Sequence, residues 1–172
     1  MMTLASFDPS ARHALIRAGL LTEGPTLGTR PLLHALLEDG PIAGLDLTPD
    51  FAGRSQRDLL ATLGIDVDDV HRRASEATSL RLDDPSLWRL RRSPFLPLRV
   101  TLTGPGTQVT LNEAARKTLE VALWAARRHG HPSASREDLL WGLLADRGNK
   151  AVQILRSRNI DLRTLWTALG AA

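Results

Sequence analysis

The sequence contains no cysteine, and this absence removes two kinds of structure at once. A chain without thiols forms no disulfide bond and offers no thiolate ligand to a metal ion. Stability must therefore come from packing, and 172 residues are enough to bury a sizeable apolar core. With 42% hydrophobic and 24% charged residues, the composition is typical of a globular domain.

Long apolar runs are missing as well. No stretch approaches the roughly 20 apolar residues that cross a bilayer. The opening residues, MMTLASFDPSAR, lack the basic region and the apolar region of a secretory signal peptide. We therefore expect a cytoplasmic protein with no membrane partner.

Lysine is scarce, because Lys117 and Lys150 are the two lysines among 22 basic residues. The net charge is only +3, so the chain as a whole is not a strongly basic nucleic-acid binder. The segment WRLRRSPF, Trp88 to Phe95, does place arginines beside aromatic residues, a pattern that can hold phosphates and stack bases. Because it lies among prolines without a matching fold motif, we interpret it as a connector and do not expect nucleic acid as a partner.

An internal repeat is the main positive feature of the sequence. Three blocks recur in the same order: Phe7–Leu21 with Leu111–Ala125, Leu32–Asp39 with Leu139–Asp146, and residues 59–70 with 154–165. Repeated blocks in one order predict two copies of one unit. We call residues 1–76 copy one and residues 111–172 copy two, with an insert at 77–110.

Helix-start and helix-stop residues occur at matching places in the two copies. The predicted N-caps are Asp8, Asn112, Thr29, Ser135, Asp66 and Asp161, and the predicted left-handed C-caps are Gly64 and Asn159. Apolar residues recur between them at spacings of three and four, which is typical of amphipathic helices. The prediction is an all-α fold of two pseudo-repeats, each with four short helices.

The insert has a different pattern. In LRVTLTGPGTQVTL, Leu98, Val100 and Leu102 alternate with polar residues, the GPG turn follows, and Val109 and Leu111 alternate again. Alternation on both sides of a turn predicts a β-hairpin. Two strands alone are marginal, so the hairpin should pack on the helices.

Copy two carries a family resemblance. The stretch LNEAARKTLEVALWAARRHGHPSASREDLLWGLL, Leu111 to Leu144, resembles the Clp N-terminal repeat domain, the double four-helix module of ClpA- and ClpC-type unfoldases. Copy one, FDPSARHALIRAGL followed by TRPLLHALL, resembles it more loosely. Those unfoldases also contain ATPase domains, but this sequence has no G-x-x-x-x-G-K-[ST] phosphate loop, since TGPGTQVT lacks the lysine.

The resemblance implies a binding site in copy two. In some ClpC-type modules a glutamate near the start of the second helix binds phosphoarginine, and Glu137 matches that glutamate, whereas copy one has Arg30. The resemblance further suggests Asn112 as a hydrogen-bond donor and Arg116 as a phosphate partner. Trp141 aligns with His34 of copy one, and we expect a position that accepts both residues to be partly exposed, so Trp141 would add an aromatic surface beside Glu137. The alternative interpretation is structural: Glu137 then only favours its helix dipole, and Asn112 only caps a helix.

The histidines give no predicted metal site or catalytic centre. His129 and His131 are close in sequence, but no carboxylate stands at ligand spacing as in H-E-x-x-H. No serine occurs in a nucleophile-elbow motif either. We therefore expect a protein that is not an enzyme and has no cofactor.

The predicted function is binding of peptides or proteins. The chain would be an adaptor or a decoy for a Clp unfoldase and its protease, recognising phosphoarginine or sequestering cyclic-peptide antibiotics. The alternatives are a nucleic-acid-associated regulator that uses the insert, and a structural partner subunit.

Overall fold

The structure is a computed structural model, and it describes residues 2–42, 44, 82–96 and 98–170. Within these ranges the helices are α1 (Pro9–Leu20), α2 (Thr29–Glu38), α3 (Glu113–Arg128), α4 (Arg136–Ala145), α5 (Lys150–Ser157) and α6 (Leu162–Gly170). The strands are β1 (Thr26–Leu27), β2 (Arg89–Arg92), β3 (Val100–Gly104) and β4 (Thr107–Leu111). The third and fourth helices predicted for copy one, with their caps Gly64 and Asp66, lie outside the described residues.

The all-α prediction is wrong, because the described chain has a mixed α/β architecture. The predicted hairpin is confirmed as β3 and β4, which pair antiparallel with Leu102 opposite Val109. Two further strands extend it into one sheet with the order β1-β4-β3-β2, in which β1 runs parallel to β4. β2 could not be predicted from the sequence, because its four residues, RLRR, contain one inward apolar side chain, Leu90, and show no alternation of apolar and polar residues.

Trp88 explains why the segment predicted to be a connector is part of the core. It lies just before β2, its side chain is 1% exposed, and its indole N–H donates to the carbonyl oxygen of Leu82 at 2.7 Å. The ring lies against Gly104 of β3, where an added Cβ would collide with it, and against Gly19 of α1, where an added Cβ would lie 3.2 Å from the ring. The sheet is thereby held against α1. Leu98, predicted to lie in the hairpin strand, instead precedes β3 and is 68% exposed.

Most of the predicted helix caps within the described ranges are confirmed. Asp8 and Asn112 accept hydrogen bonds from the amides of Ala11 and Ala115 at 2.7 and 2.8 Å. Ser135 caps α4, and Asn159 has φ 57°, the left-handed conformation expected after α5. Asp161 accepts from the Arg163 amide at the start of α6.

The cap predicted at Thr29 is wrong. The N-cap of α2 is Gly28, and Thr29 is the first residue of the helix. The Thr29 hydroxyl oxygen instead accepts from the Ala151 amide at 3.3 Å, which ties α2 to α5. The block alignment is consistent with this result, because pairing Leu32 with Leu139 sets Gly28 opposite Ser135.

The two copies contact each other through two equivalent parallel β-type pairings of the backbone. Phe7, before α1, pairs with Ala134, before α4, and Leu111, before α3, pairs with Leu27, before α2. The alignment equates Phe7 with Leu111 and Leu27 with Ala134, so one contact is the counterpart of the other. This reciprocal pairing supports the predicted internal repeat and encloses one apolar core with residues from both copies and from the sheet. Across the described ranges, no helix is long and apolar enough to cross a membrane.

Candidate functional site

A pocket of about 220 Å³ lies where α3 ends and α4 begins. Its lining combines two imidazoles, two carboxylates, a hydroxyl and an apolar floor: His129, His131, Glu137, Asp138, Ser135, Trp141 and Leu169. Copy two alone supplies every one of these side chains. We call it the copy-two pocket.

The turn that forms the rim of this pocket is fixed by its backbone. α3 ends at Arg128. The amide of its C-cap residue, His129, donates to the Ala125 carbonyl oxygen, and the next residue, Gly130, has φ 77°. That left-handed conformation is readily adopted by glycine and reverses the chain. The amide of His131 then donates to the Ala126 carbonyl oxygen at 2.8 Å. Both imidazoles are therefore presented on one tight turn.

The other side of the pocket is a capping box. The Ser135 hydroxyl oxygen accepts from the Asp138 amide at 3.2 Å, and Asp138 Oδ2 accepts from the Ser135 amide at 2.9 Å. These reciprocal bonds satisfy amides that would otherwise lack partners at the helix start. They also hold the Asp138 carboxylate at 5% exposure, with Oδ1 at 3.9 Å from Nδ1 of His129.

Glu137 and Trp141 are brought together, as the sequence predicted. They are four residues apart on α4 and so share one face of that helix. Both are half-buried, in agreement with the partial exposure predicted for Trp141. The Trp141 ring packs edge-on against Trp166 of α6, with ring centroids 4.2 Å apart. An acidic group thus stands beside an aromatic and apolar surface, an arrangement that suits a cation carried on an apolar stem.

Asn112 and Arg116 lie at the opposite end of α3 from this pocket. The 16 residues of α3 span about 24 Å at 1.5 Å per residue. Asn112 caps the start of α3, while Arg116 is 9% exposed and bonds to both carboxylate oxygens of Glu120 at 2.8 Å. Glu120 also pairs with Arg92 of β2 at 2.7 Å. Asn112 and Arg116 therefore hold helix and sheet in place, and the four predicted site residues do not form one site.

Copy one has a pocket of about 640 Å³ at the equivalent place, between the end of α1 and the start of α2. Arg30 and His34 replace Glu137 and Trp141 there. Burial, and then the nearby Arg30 guanidinium, lower the pKa of His34 below its ordinary value of 6.5. The charge at the position of Glu137 is thus reversed in copy one, as the alignment predicted, while Glu23 and Glu38 line the same copy-one pocket.

The grouping of His129, His131 and Asp138 was not predicted from the sequence. Their ligand atoms all lie within 4.8 Å of one another. The two histidines have no carboxylate at ligand spacing in the sequence, which argues against a metal site. In the folded chain, Asp138 in the first turn of α4 supplies that carboxylate. The available signal was an H-x-H turn followed by an acidic capping box. Trp124 of α3 is 53% exposed, with the Arg128 guanidinium 5.3 Å from its ring centroid.

A scan against protein-family models found no match for the chain, and a search of the curated proteins found none either.

Proposed function

We propose that this protein is a non-enzymatic peptide-binding module that acts in the cytoplasm with a Clp unfoldase and its protease. The proposal depends most on one observation: Glu137 and Trp141 stand together in the copy-two pocket, at the start of the second helix of an internally repeated unit. The resemblance of copy two to Clp N-terminal repeat domains connects that pocket to the unfoldase.

The ligand that best suits the copy-two pocket is a phosphoarginine side chain. The Glu137 carboxylate would accept charge-assisted hydrogen bonds from the guanidinium group. Trp141 and Leu169 would pack against its apolar stem, and a tryptophan face also attracts a guanidinium. His129 and His131, exposed on the rim, would offer N–H donors to the phosphoryl group.

Copy one would not bind the same ligand. Arg30 stands where copy two has Glu137, and it would repel a guanidinium group. We therefore propose one phosphoarginine site for each chain.

The first experiment is a calorimetric titration of the protein with a phosphoarginine peptide and with the same peptide carrying unmodified arginine. We expect saturable one-site binding of the phosphorylated peptide, lost in Glu137→Gln. Glu113→Gln is the matched control, because Glu113 is also an acidic residue in the first turn of a helix but lies at the far end of α3. It should bind as the unmodified protein does.

Two results would contradict the proposal. One is the absence of binding, and the other is equal binding by Glu137→Gln, which would leave Glu137 only its favourable interaction with the helix dipole. If binding is observed, a degradation assay with a Clp unfoldase and its protease separates the two roles. An adaptor accelerates degradation of a phosphoarginine-marked substrate, whereas a decoy slows it.

A further inference from the structure

We propose that His129, His131 and Asp138 form a zinc-binding site at the rim of the copy-two pocket. The three side chains come from two helix ends that the fold brings together, and their ligand atoms are mutually within 4.8 Å. The zinc site shares His129 and His131 with the proposed phosphoryl contacts, but it needs neither Glu137 nor Trp141 as a peptide contact.

The donor set identifies the class of metal. Two imidazole nitrogens with one carboxylate oxygen is a common zinc ligand set, with a fourth tetrahedral position left for water or another ligand. Magnesium and calcium prefer ligand sets made entirely of oxygen, so imidazoles disfavour them.

Asp138 is already fixed in a conformation suitable for a ligand. Its Oδ2 accepts from both the Ser135 amide and the Ser135 hydroxyl, at 2.9 and 3.2 Å, and its Oδ1 faces His129. Hydrogen bonds of this kind to a ligand carboxylate orient it and are typical of the shell around a metal site. The carboxylates of Glu137 and Asp138 also offset the positive end of the α4 dipole, which alone would disfavour a cation.

Only the histidines have to move on binding. Ligand atoms on one tetrahedral zinc ion are about 3.3 Å apart, given bonds of about 2.0–2.1 Å. Nδ1 of His129 is 3.9 Å from Asp138 Oδ1, and both imidazoles are exposed on the turn. Rotation of their side chains can close the remaining gap without displacing α3 or α4.

Copy one provides an internal comparison. Its equivalent turn, residues 21–28, contains no histidine, and the alignment sets Pro31 opposite Asp138. The proposal therefore predicts one zinc ion for each chain.

The test is a calorimetric titration of the metal-free full chain with zinc chloride. We expect one site, and a loss of affinity in His129→Ala and in His131→Ala that exceeds the roughly 10–100-fold typical of changes around a metal site. The control is His13→Ala, which removes a histidine of α1 that bonds to Asp39 and does not line the copy-two pocket, and it should leave zinc affinity unchanged. Circular dichroism of each variant verifies that the helices are intact.

Cobalt(II) gives a second readout, because cobalt in tetrahedral coordination absorbs strongly in the visible range. Added zinc should displace the cobalt ion and remove this absorption. The proposal is overturned if the chain binds no zinc, or if His129→Ala and His131→Ala bind it as well as His13→Ala does. Repeating the peptide titration on metal-free protein keeps the two proposals separate, since either can fail without the other.

Discussion

Replacing Gly142 by alanine tests the close approach of α3 and α4 that forms the copy-two pocket. A Cβ at Gly142 would fall inside the contact distance of the Thr118 backbone carbonyl oxygen. Alanine favours a helix by about 1 kcal/mol over glycine, whereas overpacking a core costs about 1–3 kcal/mol. Because the obstacle is backbone and cannot rotate away, the upper end applies, and the net loss of unfolding free energy should be about 2 kcal/mol.

Urea denaturation measures this loss as a lower midpoint at an unchanged slope. In a chain of this size, the melting temperature should fall by about 4–8 °C. Gly24→Ala is the control, because a Cβ there would meet nothing within 4 Å. Its stability should change by less than about 0.5 kcal/mol. A Gly142→Ala protein that is more stable than the unmodified chain would refute the close helix contact.

Two further predictions concern charged and titratable groups. Glu120→Gln should lower the unfolding free energy by about 1–3 kcal/mol, because the substitution weakens the pairing of the nearly buried Arg116. Glu113→Gln loses an exposed pair with Lys117 and should change the unfolding free energy much less. Equal losses for the two variants in urea denaturation would contradict the assigned role of Arg116. Because the pKa of His34 is lowered in the folded state, the unfolded chain binds more protons near pH 6, so stability should fall as the pH drops below about 6.5. His34→Gln should flatten this decline in a pH series of denaturation curves, and an unchanged slope would contradict the assignment.

Local signals explain how much of copy two the sequence predicted. The capping box of Ser135 and Asp138, the cap at Asn112 and the left-handed Asn159 each involve residues a few positions apart. Such features depend on short-range hydrogen bonds and backbone conformation, which the residue types themselves indicate. The starts of α3, α4 and α6 and the stop of α5 could therefore be predicted, whereas Asn149, the N-cap of α5, was not among the predicted caps.

The sheet could not be predicted in the same way, because its outer strands depend on long-range pairing. β1 has two residues, Thr26 and Leu27, and it becomes a strand by pairing with Thr110 and Leu111 of β4. A two-residue strand has no periodicity to detect. The position of β2 likewise depends on the burial of Trp88 rather than on its own arginine-rich pattern.

Only part of the candidate site could be predicted, because the rest again depends on residues that are brought together by the fold. Glu137 and Trp141 lie on one helix, so their spacing alone placed them together. His129 and Asp138 belong to different helices, and only the turn after α3 brings them to 3.9 Å. The resemblance suggested Arg116 as a phosphate partner, but Arg116 pairs with Glu120 one turn along the same helix. Arg92 of β2 reaches that carboxylate only in the folded sheet-and-helix arrangement.

The most direct test of the proposed function follows the indole N–H resonances of the tryptophans by NMR while a phosphoarginine peptide is added. Trp141→Phe assigns the resonance that matters. We predict a saturable shift of the Trp141 resonance, while the resonance of Trp88, buried between α1 and the sheet, stays in place. An unmoved Trp141 resonance at peptide concentrations that saturate the protein would contradict binding in the copy-two pocket.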